Sequence, residues 1–511
     1  MLRFMVGLIL LGLISQANAA DSTIDALGAG SALTGAESVP MFQSANPAVK
    51  TTTRAIGNLA PGNGTAYIDA TQQSGADMCA KIAAAQTALI SASPFGGVVD
   101  ARGFLGVQPC AGSMFLATGN VAVTILLGAT SIQTAVPQNP PTLTALVGSM
   151  PFSINAPLIA QATGTVIQPA NSNSFVVTKT TSGSTASGAV LPFTDTSGIV
   201  VGDSVTGTNI VVHTTVQSIV TNTSVTVGEA ISGTVGSGAT ITFTHPIMSM
   251  GAGAVSTAVQ ISNLKVSCQQ PNASYLSGGI GIQNDWAQQQ SFLFNVVISG
   301  CFTNFDIETT NAQNGGPYNY VTMAAGYASV NETCMKIGNN NGSNTVLESA
   351  FHGLSCGGAG VGFEPTVGIY QDAYSLGIYD SNVENVVTGI EVGRYNFVHG
   401  LLLSNINCGG QAQAMTTCVD ISSNNSVDAA TLTNITGYSG DGVTNRLVDH
   451  INSRTITTPW VAYYILAHDG SIIADGATNL FTTLGTTAGV TCASGVTAAT
   501  VTVLKGIVTH C

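Results

Sequence analysis

Charge is the scarcest property of this 511-residue chain: 7% of its residues are Asp, Glu, Lys or Arg, and Lys plus Arg number 12. No run of basic residues occurs, so the electrostatic footprint that nucleic acid or an anionic membrane requires is missing. Cysteines never occur as C-x-x-C and the 7 histidines are scattered, which leaves no zinc-site spacing. Beyond residue 14 no apolar run is long enough to cross a bilayer as a helix, so no membrane span is expected. Aromatic residues make up only 6%, yet mean hydropathy is +0.36 and Gly numbers 59. Plentiful β-branched and aliphatic residues between Gly, Ser and Thr argue for a folded all-β protein rather than a disordered one.

The start of the chain reads as an export signal. Met1, Leu2 and Arg3 precede an apolar run over 4–14, and Ala17-Asn18-Ala19 supplies small residues at a cleavage site. Residues 1–19 are therefore expected to be removed and the mature protein to act outside the cell. Loss of Arg3 takes the formal net charge from −13 to −14. All 10 cysteines follow this segment, and an even count in an exported chain argues for disulfides. Pairing of sequential neighbours predicts Cys79–Cys110, Cys268–Cys301 and Cys492–Cys511.

Composition divides the rest. Residues 20–60 read as an extended leader; Thr23-Ile24-Asp25-Ala26-Leu27 and the stretch from Ala32 to Pro40 resemble a short segment near the start of phage tail-fibre proteins. Residues 61–167 open with a helix: Ser74-Gly75-Ala76-Asp77 has capping-box spacing, and Met78, Ile82, Ala85 and Leu89 recur at helical spacing. Gly96-Gly97-Val98-Val99-Asp100 then reads as turn plus strand. A helix followed by short Gly-rich strands resembles the entrance of pectate-lyase-like proteins of the pectin lyase-like superfamily. That resemblance implies an all-β, right-handed parallel β-helix with an N-terminal capping helix over its open end. Residues 168–246 alternate Val/Thr/Ile strands with Gly/Ser/Asn turns, as in Ser224-Val225-Thr226-Val227, and predict a small inserted antiparallel β module. It resembles accessory modules of phage tail and adhesin proteins. Residues 247–469 carry the main β-helix and 470–511 a C-terminal cap.

A drifting repeat supports the coil stack. Apolar runs recur with marked positions 263, 295, 350, 382, 405 and 434, separated by 32, 55, 32, 23 and 29 residues; the 55 spans one further coil. Asn tolerates left-handed backbone, and its stacked amides hydrogen-bond from coil to coil. Apolar residues then pile into a core that no single coil could bury.

On the 32-residue alignment Glu348 shares an offset with Asp380, and His352 with Glu384. The second of these columns also runs through Lys265, Val297, Asn407 and Thr436. Residues at one offset in adjacent coils lie about 4.8 Å apart. The four would form a polar patch on the outer wall, as catalytic acid, base or nucleophile in a glycosidase, or as calcium ligands and base in a lyase. Arg394, Tyr379 and Tyr395 are the associated substrate-binding candidates, and tyrosine rings between 318 and 395 would suit stacking on sugars. Beyond calcium no cofactor is implied. The motifs of polygalacturonase-type enzymes are not reproduced: Asn284-Asp285-Trp286 stands where N-T-D would, and Val398-His399-Gly400 only partly echoes G-H-G. The expectation is an exported β-helix protein that binds, and in one version cleaves as a hydrolase or lyase, an extracellular polysaccharide or cell-surface glycan. The alternative is a non-catalytic adhesin or filament protein. A homo-oligomer is compatible with either.

Overall fold

The computed structural model describes the strands Ser38–Gln43 and Asn46–Thr52, most of 66–437, and short strands beyond; within 66–437 the main omissions are 150–163, 308–316, 339–348, 359–363, 410–414 and 421–426. The signal segment, Glu348, Tyr395 and the Cys492–Cys511 pair lie outside the described residues, as does most of 470–511. Residues 1–63 form a unit of their own. Within it Ser38–Gln43 and Asn46–Thr52 pair as an antiparallel hairpin, so part of the expected leader is paired strand.

Residues 64–511 are built on a right-handed parallel β-helix. Each main coil runs through a long strand on a first wall, a five-residue strand on a second wall, and a short third side. Gln260–Ser267, Ile280–Asn284 and Ala287–Gln288 make one such coil, and Phe292–Ser299 begins the next. Parallel pairing places like positions above one another. The inward column of the first wall is Ile261, Leu293, Tyr318, Phe351, Ile378, Leu403 and Leu432, all buried. Facing it across the interior are Ile282, Phe305, Met335, Ile369, Ile390 and Val419. Tyr318 is therefore core: it stacks on Phe351 at 5.0 Å and meets Phe305 edge-on at 5.1 Å. Its hydroxyl accepts from Nδ2 of Asn284 at 2.6 Å, and burial pushes the phenol pKa up.

The helix α1, Met78–Ala92, packs against the first strands with Met78, Ile82, Ala85 and Leu89 buried. Its N-cap is Asp77 rather than a capping box begun by Ser74. Asp77 accepts from the Ala80 N–H through Oδ1 and from the Ala111 N–H through Oδ2, tying the helix start to the neighbouring strand. Cys79 near the start of α1 is bonded to Cys110 at the end of that strand. Cys268–Cys301 links successive coils, Cys334–Cys356 joins the two walls, and Cys408–Cys418 closes a corner.

The module lies between the strands Val166–Pro169 and Met248–Met250. It has two three-stranded antiparallel sheets, with Thr240–Thr244 central in one and Ser224–Val227 in the other. Leu191, Phe193, Val205, Val225, Ile241 and Phe243 give it a core of its own. Among the described residues no helix is long and apolar enough to cross a membrane.

Candidate functional site

Residue identity at the marked turn varies, but its backbone does not. Asn263, Asn295, Tyr320, Gly353, Asp380, Asn405 and Asn434 all have φ between 51° and 63°. This left-handed residue kinks each first-wall strand between its two halves, and the register runs through it. Asn and Asp accept this geometry through local hydrogen bonding and Gly through the missing Cβ. Two of the sequence marks are thereby corrected: Ala350 and Asn382 give way to Gly353 and Asp380, and Tyr320 is the mark of the coil hidden in the 55-residue gap. Following the letter Asn selected Asn382 in place of Asp380, and it offered no signal at Tyr320 or Gly353.

In this register His352 and Glu384 do not share a column, and Glu348 lies outside the described residues. His352 aligns with Tyr379, and Glu384 with Gly357 and Gly409. The column of Lys265, Val297, Asn407 and Thr436 stands, but its members between are Thr322, Ser355 and Asn382. Asp380 lies in the turn column, where its Oδ1 accepts from Nδ2 of Asn405 at 2.7 Å. Glu384 accepts from Nδ2 of Asn382 at 2.9 Å, and Asn382 in turn accepts from Asn407 at 3.0 Å. Arg394 is not on this wall. It follows the second-wall strand Thr388–Val392, donates to Glu391 and to the Tyr370 hydroxyl, and lies over the Tyr370 ring.

What the first wall does gather is rings. The outward column just before the kink reads Ser262, Phe294, Asn319, His352, Tyr379, Ser404 and Thr433. Phe294 is 41% exposed and Tyr320 58%; they meet edge-on with centroids 5.7 Å apart. His352 and Tyr379 stack nearly parallel at 4.6 Å. Two glycines make room for these rings. A Cβ on Gly353 would lie 2.7 Å from the Tyr320 ring, and one on Gly377 2.4 Å from that of Tyr379. Phe294 to Tyr379 spans three coil steps, about 14 Å at the inter-strand spacing. Asn319, Asp380, Asn382, Glu384 and Asn407 border the strip. Phe294 is not among the residues expected from the sequence, which were tyrosines; the available signal is its position immediately before a marked Asn.

The second wall faces the module instead. Its outward column, Ser249, Gln283, Asp306 and Lys336, is buried beneath it. Lys336 donates from Nζ to the His213 carbonyl at 2.6 Å, with Glu229 at 3.8 Å, and Gln283 donates to the Gly202 carbonyl. The His213 ring stacks on Phe302 at 4.5 Å, and Nδ1 hydrogen-bonds with the Thr303 hydroxyl. Burial, then the Lys336 charge, pushes the His213 pKa down to about 3. The same column continues through Tyr370, whose ring lies 5.5 Å from that of His213, to Glu391 and Asp420. Burial raises the Glu391 carboxyl, Arg394 opposes that shift, and Asp420 adds to it.

No family model matches the chain, and a search of curated proteins finds no match either. Among solved structures the chain is similar to the tailspike protein gp49 of Pseudomonas phage LKA1, at 10% identity and a TM-score of 0.21, over 76% of each chain. It is also similar to the tailspike gp61 of Pseudomonas phage phi297, at 10% identity and a TM-score of 0.21, covering 75% of this chain and 76% of that one. A third likeness is to the Gp54 tailspike of Acinetobacter baumannii bacteriophage AP22, solved in complex with A. baumannii capsular saccharide; identity is 11%, the TM-score 0.20, and coverage 77% and 70%. At this degree of likeness the functional reading rests on the chain's own residues.

Proposed function

We propose that the first wall is a polysaccharide-binding surface and that the protein acts outside the cell. The observation that carries this reading is the ring strip: Phe294 and Tyr320 stay large and exposed beside the His352–Tyr379 stack. Exposed apolar rings in a row cost solvation unless something covers them, and a pyranose offers flat C–H faces of matching size. Amides of Asn319, Asn382 and Asn407 beside the rings supply donors and acceptors for hydroxyls.

Binding without cleavage is the version that the register favours. Glu384 has glycine above and below it, and Asp380 has Gly353 and Asn405. Among the described residues, Asp380 and Glu384 lie on one strand, and neither has a carboxylate at its own offset in an adjacent coil. A disulfide-stapled, adhesin-like binding protein fits better than a hydrolase or lyase.

The test is retention of the purified protein on a panel of immobilised polysaccharides, with release of reducing ends assayed in parallel. Retention that is lost in the double variant Phe294→Ala/Tyr320→Ala, without new reducing ends, is the expected result. Retention unchanged by that variant would remove the strip from the reading.

A further inference from the structure

We infer that the glycan bound on the first wall is an uncharged polymer of neutral or N-acetylated pyranoses, not a uronate or other polyanion. This rests on the glycan-binding reading above and specifies its ligand.

The chain has little to offer an anion. Between residues 266 and 445 it has only two basic side chains, Lys336 and Arg394, against 13 Asp and Glu. Both basic groups belong to the second-wall side. Lys336 is fully buried beneath the module, with its ammonium on the His213 carbonyl. Arg394 is held by Tyr370 and Glu391. Lys265 does belong to the first wall, but it is 2% exposed and cannot reach a ligand lying on the rings. Loops bordering the strip that lie outside the described residues cannot change this balance, because the sequence gives them no Lys or Arg.

What borders the strip is acidic or amide. Asp380 is exposed and Glu384 half-buried, and each accepts a hydrogen bond from a neighbouring asparagine. A polymer with one carboxylate per sugar would set its charges among these two with no cation between them. Each such pair within several ångströms costs on the order of 1 kcal/mol even in water. Rings and amides carry no such penalty toward an uncharged sugar. They stack on its C–H face and exchange hydrogen bonds with hydroxyl or acetamido groups. Recognition built this way should also be insensitive to salt, since screening acts on charge pairs.

Affinity electrophoresis of the full chain tests this. The gels would contain uncharged polymers (dextran, mixed-linkage glucan, a soluble N-acetylglucosamine polymer), uronates (polygalacturonate, alginate) with and without calcium, or chitosan. The expected result is retardation by at least one uncharged polymer, changed less than about twofold by added salt. The Phe294→Ala/Tyr320→Ala variant should weaken it by about tenfold or more, the loss of two stacking rings. Retardation by a uronate that the same variant weakens, with or without calcium, would overturn the uncharged assignment and leave the glycan reading in force. Retardation by chitosan alone, abolished by salt, would overturn it as well. Retardation by none of the polymers would sink the glycan reading and this inference with it.

Discussion

Asn405 donates from Nδ2 to Oδ1 of Asp380 one coil away, and its own Oδ1 accepts from Nδ2 of Asn434 on the next. The same link joins Asn295 to Asn263 at 2.9 Å. Between these two runs of the ladder stand Tyr320 and Gly353, which keep the left-handed backbone but not the amide. The turn is thus maintained by geometry throughout and by side-chain hydrogen bonds over part of its length.

Asn405 separates these contributions. Asn405→Ala should lose two side-chain links and force alanine into left-handed backbone, at a cost of about 2–4 kcal/mol. Asn405→Gly loses the links alone and should cost about half as much. Urea denaturation of both variants measures the difference; equal destabilisation would show that backbone strain contributes little.

The Cys334–Cys356 bond spans 22 residues and joins the two walls through the interior. Loop-closure entropy gives it a stabilisation of about 3 kcal/mol. The variant Cys334→Ala/Cys356→Ala should melt earlier under non-reducing conditions. After reduction, wild type and variant should converge at this step.

His213 makes stability pH-dependent. Its native pKa lies near 3, below the ordinary value of 6.5, because burial disfavours the imidazolium. The unfolded chain therefore binds a proton that the native protein does not between pH 6.5 and about 3. Stability from this group is complete above 6.5 and falls as the pH drops, by about 1.4 kcal/mol per unit inside the window. His213→Gln should flatten that slope while lowering stability at pH 7 through lost packing on Phe302. Chemical denaturation at pH 7 and pH 4.5 supplies the comparison, and an unchanged slope in the variant would exclude His213 as its source.

Asp380 and Glu384 test cleavage against binding. The double variant Asp380→Asn/Glu384→Gln should retain polysaccharide binding within a few-fold, since it keeps the shape of the wall. If the wild type releases reducing ends and the variant does not, the two carboxylates act chemically and the non-catalytic version is wrong.

Much of the architecture was legible. The α1 spacing is visible because a helix must bury every third or fourth residue, and Met78, Ile82, Ala85 and Leu89 do so. Coil-to-coil repetition is visible because each coil fills the same interior column. Cys79–Cys110 and Cys268–Cys301 join sequential cysteines, as the simplest pairing required. The site was much less legible. A constant 32-residue period gave His352 and Glu384 one offset, whereas 27 residues separate His352 from its true neighbour Tyr379 and 25 separate Tyr379 from Ser404. Loops of unequal length between fixed strands change the period at every coil, and a shift of two or three residues sends a side chain to another column.

The sequence by itself determined the composition of the walls: sparse charge, apolar strands, turn-forming Asn and Gly, and too few cations for a polyanion. These follow from counts and periodicity, which folding cannot alter. Only the tertiary structure decided which residues stand next to one another. It put Tyr318 in the core and Tyr320 in solvent two positions later, because Tyr320 is itself the left-handed residue and breaks the inward–outward alternation, which resumes at the buried Val321. It put Arg394 on the second wall and Phe294 beside Tyr320. Side-chain direction depends on where each coil bends, and that is set by contact with the coils above and below.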